Sequence, residues 1–218
     1  MRRTTTTVFF AAALALASGI ARADAAAGAK TYQAKKCQDC HYADGPAREK
    51  TLADQLAKKG PELWYAGSKF RKEWLGKWLQ DPKPIRALKY NSLTEKNPGN
   101  HPKLAATEAT DVADFLMTKT SPLVKDGVVK PKANPKGRLV FTKNMPCSGC
   151  HQFPGQKFTG GLNGPSLTQA GERLNPDWIL AYLKDTRTFK PLRQMPVFAG
   201  ILNEQDMVAV AEFVATFK

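Results

Sequence analysis

The pentapeptide Cys-x-x-Cys-His occurs twice in the chain, as Cys37-Gln-Asp-Cys40-His41 and as Cys147-Ser-Gly-Cys150-His151. It is the attachment signature of c-type haem. Two cysteines three apart form thioethers with the vinyl groups of one haem, and the adjacent histidine falls beneath the iron as proximal ligand. The chain has 4 cysteines and 3 histidines, so the two motifs use every cysteine and leave one histidine, His101. That count implies two covalent haem c groups. Two Cys-x-x-Cys pairs could also hold structural zinc, but a zinc site does not require a histidine directly after each second cysteine. A dithiol redox motif needs an α/β scaffold, of which the sequence carries no sign.

The first residues read as a secretory signal: Arg2 and Arg3, an apolar run from Val8 to Ile20 too short to span a bilayer, then Ala21-Arg22-Ala23 as a cleavage site. Residues 1–23 are the expected signal peptide, and the mature chain begins at Asp24 in the periplasm. No later segment reaches the ~20 apolar residues of a membrane helix. Loss of Arg2, Arg3 and Arg22 lowers the formal charge from +14 to +11. A surface so basic can steer an acidic redox partner protein or touch an anionic membrane peripherally. Nucleic acid is not expected, since no basic stretch is interleaved with aromatics.

The mature chain repeats once. Gly28-x-x-x-Tyr32 precedes the first motif and Gly137-x-x-x-Phe141 the second. Gly60-Pro61-Glu62-Leu63 answers Gly164-Pro165-Ser166-Leu167, and Glu73-Trp74-Leu75 answers Asp177-Trp178-Ile179. From Pro61 to Asp81 the offset is constant at 104 residues. Such self-similarity must be recognised before a fold is assigned. Each copy ends in an amphipathic stretch, with Val112, Phe115, Leu116 and Val210, Phe213, Val214 at i, i+3, i+4. That spacing predicts terminal helices with one apolar stripe. Trp74–Leu79, Trp178–Leu183 and the Gly-x-x-x-aromatic segments also read as helices, and no alternating strand pattern is present. Between the copies, residues 123–135 carry proline, glycine and charge and read as an extended linker. The units are then 24–122 and 136–218, each small for a self-sufficient core unless a covalent haem supplies apolar interior.

These residues resemble class I cytochromes c, in a tandem dihaem arrangement similar to the cytochrome c4 type. The resemblance covers nearly the whole mature chain. It implies an all-α fold of two tandem class I cytochrome c domains, each wrapped around one haem. It also implies a function in electron transfer between redox partners, free or as a subunit of a larger periplasmic enzyme of the respiratory chain. In that family the Gly/aromatic helix crosses the terminal helix, which would place Gly28 and Tyr32 near Phe115, and Gly137 and Phe141 near Phe213. The carbonyls of Pro61 and Pro165 match the position that orients the proximal histidine. The family's sixth ligand, a methionine on the loop before the last helix, is matched by Met195 in Gln194-Met195-Pro196.

The first unit departs from this pattern. Asn91 or Asn97 stands opposite Met195, depending on how a loop six residues longer is aligned. Met117, on the terminal helix in line with Ala215, sits where packing is expected, and Met145, two residues before the second haem motif, faces the wrong side. His101, in Asn97-Pro98-Gly99-Asn100-His101-Pro102, is the candidate distal ligand, giving a bis-His haem. Asn91, Lys89, Tyr90 or an open iron are the alternatives. With an open iron the chain would instead be a haem enzyme or small-ligand binder. No catalytic residue is proposed, since every cysteine and every histidine but His101 is committed.

Overall fold

The computed structural model describes residues 24–155, 160–192 and 195–218; the expected signal peptide lies outside them. They form α1 (Ala25–Ala34), α2 (Leu52–Ala57), α3 (Ala66–Lys69), α4 (Lys72–Gln80), α5 (Ala106–Met117), α6 (Pro135–Leu139), α7 (Ala170–Arg173), α8 (Pro176–Lys184), α9 (Thr186–Phe189) and α10 (Glu204–Val214). The only β-type pairings among the described residues are isolated bridges, so the all-α expectation stands. No described helix is long and apolar enough to cross a membrane.

Each unit is built on one helix crossing. The Asp24 side chain caps α1 by accepting from Ala26 N, and its own N–H reaches Asp111 Oδ1 on α5 at 3.3 Å. A Cβ on Gly28 would lie 1.9 Å from the Asp111 carbonyl oxygen, so the two backbones touch there. Only glycine permits that approach. Tyr32 then packs on Phe115, ring centres 5.4 Å apart. In the second unit Asn134 caps α6, Pro135 opens it, and the chain runs on through a π-turn at Val140–Asn144. A Cβ on Gly137 would meet the Ala209 carbonyl of α10 at 2.0 Å, and Phe141 packs on Phe213 at 5.9 Å. Both crossings fall where the sequence places them.

The units meet through equivalent residues. Phe70 and Leu174 form an antiparallel bridge. Arg71 N donates to Arg173 O at 2.9 Å and Asn175 N to Lys69 O at 2.8 Å. Positions 69–71 and 173–175 differ by the repeat offset, so each strand of the pair faces its own copy. The contact is isologous, as in a two-fold dimer, but within one chain. The surroundings of the pair are not symmetric: α8 buries Trp178, Ile179, Leu180 and Leu183 almost all round, while α4 buries only Leu75 and Leu79. Trp178 stacks on Tyr65 of the first unit at 6.1 Å.

The segment between the units is expected to be extended; it carries turns at residues 122–124 and 126–128 and is not a free tether. Asp177 accepts from Gly127 N and Val129 N, both at 2.7 Å, and Val129 is buried. Linker composition leaves orientation open; the Asp177 clamp and the bridge fix it, and both are tertiary contacts that composition does not encode.

Candidate haem sites

Both Cys-x-x-Cys-His segments fold into the same single turn. Cys40 N and His41 N reach back to Cys37 O at 3.2 and 2.9 Å, and Cys150 N and His151 N to Cys147 O at 3.2 and 3.0 Å. In each turn the first cysteine is half-buried and the second exposed, and none of the four is in a disulfide. The thiols stand ready on one rim, with the histidine turned inward.

The carbonyl of Pro61 lies 2.6 Å from His41 Nδ1, and that of Pro165 lies 2.8 Å from His151 Nδ1. A carbonyl can only accept, so Nδ1–H donates and Nε2 keeps its lone pair for a metal. Gly60 and Gly164 let the loop lie against the ring: a Cβ there would come within 2.6 Å of His41 Cε1 and 2.5 Å of His151 Cε1. Burial depresses the pKa of both histidines, with the proline carbonyls acting in the opposite sense. Imidazoles kept neutral in this way are the form that binds a metal. The residues of each turn fit a covalent haem by their chemistry: two thiols outside any disulfide stand beside a neutral imidazole whose Nε2 keeps its lone pair.

On the distal side of the first unit His101 comes close. Its ring centre lies 6.2 Å from that of His41, with the planes 41° apart. Imidazole nitrogen binds a metal at about 2.0–2.1 Å and the ring centre sits about 1.1 Å behind it, so two rings opposed across one ion stand about 6.3 Å apart. His101 Nδ1 donates to the Pro102 carbonyl at 2.9 Å, and Trp78 of α4 backs the ring at 4.7 Å. Three of the other residues of this stretch, Asn91, Lys89 and Asn97, are engaged elsewhere. Asn91, in a left-handed conformation at φ 61°, accepts from Gln55 Nε2 and donates to the Gln55 and Lys58 carbonyls. Lys89 pairs with Glu95 at 2.8 Å on the surface. Asn97 braces its own loop through the Arg86 carbonyl at 3.1 Å.

In the second unit Met195 is partly buried against the core, and Thr186 Oγ1 donates to its carbonyl at 3.3 Å. Met117 packs against the core of the first unit, as expected, and Met145 against that of the second.

One cluster escaped the sequence reading. Glu62, next to Pro61, is only 2% exposed. It accepts from Tyr65 Oη at 2.7 Å and Lys58 Nζ at 2.5 Å, and from Lys190 of the second unit. Burial alone would raise its pKa, but Lys190 and Lys58 outweigh burial and hold it well below the carboxylate range. The signal was available in the repeat, where Lys190 stands 104 residues after Arg86 and Ser166 stands in Glu62's place.

The family model described as Cytochrome c matches the chain in two regions, residues 25–120 and 135–218. No curated protein and no solved structure matches it. Together with cysteines at Cys-x-x-Cys-His spacing in each region, the match assigns two covalently attached haem c groups, through Cys37 and Cys40 and through Cys147 and Cys150.

Proposed function

We propose, for a chain that belongs to the cytochrome c family in both its halves, an electron relay between redox partner proteins in the periplasm, with unequal ligand sets at its two irons. Each haem supplies a one-electron iron couple. His41 and His101 hold the first iron, and His151 and Met195 the second. Pro61 and Pro165 orient the proximal rings. A thioether opposite histidine raises the potential relative to a second imidazole, so the two sites differ and electron flow acquires a direction.

The observation that carries this reading is the 6.2 Å separation of the His41 and His101 rings. Export is supported by the chemistry of the chain's start: cleavage before Asp24 leaves the α1 cap intact, since the cap is Asp24 itself. The basic surface, +11 after cleavage, favours an acidic docking face on the partner.

His101→Ala tests the assignment. The first haem should become high-spin and bind carbon monoxide when reduced, while the second keeps its spectrum. A variant whose spectrum matches the parent in both haems would remove His101 from the iron. Carbon monoxide binding by the unaltered protein at the first haem would move the function toward ligand chemistry there.

A further inference from the structure

The proximal sides of the two sites carry different charge. Next to Pro61 stands Glu62, buried and bonded to Lys58 and Lys190; Lys58 also pairs with Glu49 at 2.6 Å. Two carboxylates there face two ammonium groups. Next to Pro165 stands Ser166, which has no charge to offer. Two cations stand at that loop, Arg86 and Arg173. Arg173 is 6% exposed, donates to the Ser166 carbonyl at 2.8 Å, and lies 5.9 Å above the Trp74 ring. Arg86 crosses from the first unit to the Asn163 carbonyl, one residue before the Gly164 that presses on the His151 ring.

Arg86 and Lys190 are repeat equivalents, and each crosses the boundary toward the other unit's proximal loop. The arriving cation meets a carboxylate at position 62 and none at position 166.

An oxidised haem carries one positive charge more than a reduced one. A nearby cation therefore disfavours oxidation, and a nearby carboxylate favours it. Inside a protein such charges act over several ångströms with little screening.

We infer that Glu62 lowers the reduction potential of the N-terminal haem by cancelling the lysines beside it, and that Arg86 with Arg173 raises that of the C-terminal haem. The inference rests on both units carrying a haem, not on which residue is the distal ligand of the first. The field reinforces the direction set by the ligands, from the N-terminal to the C-terminal unit. Because one of the two cations in each arrangement comes from the opposite unit, the potentials depend on the units staying docked.

The test is a redox titration of the intact dihaem protein, followed by electron paramagnetic resonance so that the irons are read separately. Glu62→Gln should raise the N-terminal potential by about 59 mV, a tenfold change in its oxidised-to-reduced ratio at fixed potential, and leave the C-terminal potential in place. Ser166→Glu should lower the C-terminal potential by a similar factor without moving the N-terminal one. Ser166→Glu removes no existing ion pair, so it decides the matter if Glu62→Gln fails to fold. An unmoved C-terminal potential in folded Ser166→Glu, or equal shifts of both haems in either variant, would overturn the inference. Failure of the His101 assignment would show instead in the resonance signal of the unaltered protein.

Discussion

The two units share a frame and differ in what is hung on it. In both, a glycine lets an N-terminal helix touch the terminal helix, an aromatic fills the crossing, and a proline carbonyl holds the proximal imidazole. The first unit inserts α2 between motif and proline, so His41 and Pro61 stand 20 residues apart where His151 and Pro165 stand 14 apart. Yet the carbonyl reaches the ring in both. The frame tolerates extra chain because added loop length costs little entropy once its ends are fixed. The units also fill their shared boundary unequally. Trp64 and Tyr65 press on Phe189, ring centres 5.9 and 5.0 Å away. The repeat-equivalent Thr168 and Gln169 are smaller, and border a cleft of about 410 Å³ with Trp74 and Trp78. What is common to the copies builds the haem site; what differs changes its charge and its contact with the other copy and, in the proposed relay, its ligands.

The sharpest way to break this comparison is to remove one haem. Replacing Cys37 and Cys40 together by serine should halve the haem content measured as pyridine haemochrome, with the Met195-type spectrum surviving. Loss of both haems would mean that the units do not mature independently. The smaller effect tests whether the two crossings are equally tight. Gly28→Ala and Gly137→Ala each drive a methyl into a backbone carbonyl, and overpacking of this kind costs about 1–3 kcal/mol. Similar losses in chemical denaturation should follow from both. A loss confined to one would show that its counterpart can slide.

Much of this architecture was legible in the sequence, for reasons that are local. The Cys-x-x-Cys-His turn, the Gly-x-x-x-aromatic spacing and the i, i+3, i+4 stripe of Val112, Phe115 and Leu116 are each fixed within a few residues. His101 stands out by elimination, as the one histidine outside a motif, and its place at the first iron is the proposal made above. The Thr51 and Asp54 capping box that starts α2 was present in the sequence, followed by Leu52 and Leu56 at i, i+4, but two exposed leucines over six residues are too short a pattern to mark a helix. Other features depend on residues brought together from afar. Asn91 reads as a possible ligand until Gln55 and Lys58 are seen to occupy its side chain. Asp177 reads as a helix-start residue and is also the clamp on the linker. The Phe70–Leu174 bridge was implicit in the 104-residue offset, since a self-facing contact joins equivalent positions, but sequence alone does not say that the copies meet.

The account turns on the irons being unequal, and low-temperature electron paramagnetic resonance of the oxidised protein reads that directly. Two low-spin signals, one typical of histidine–methionine and one of bis-histidine ligation, are the predicted result. A substantial high-spin signal from one haem would contradict it, leaving the first iron open and His101 off the metal.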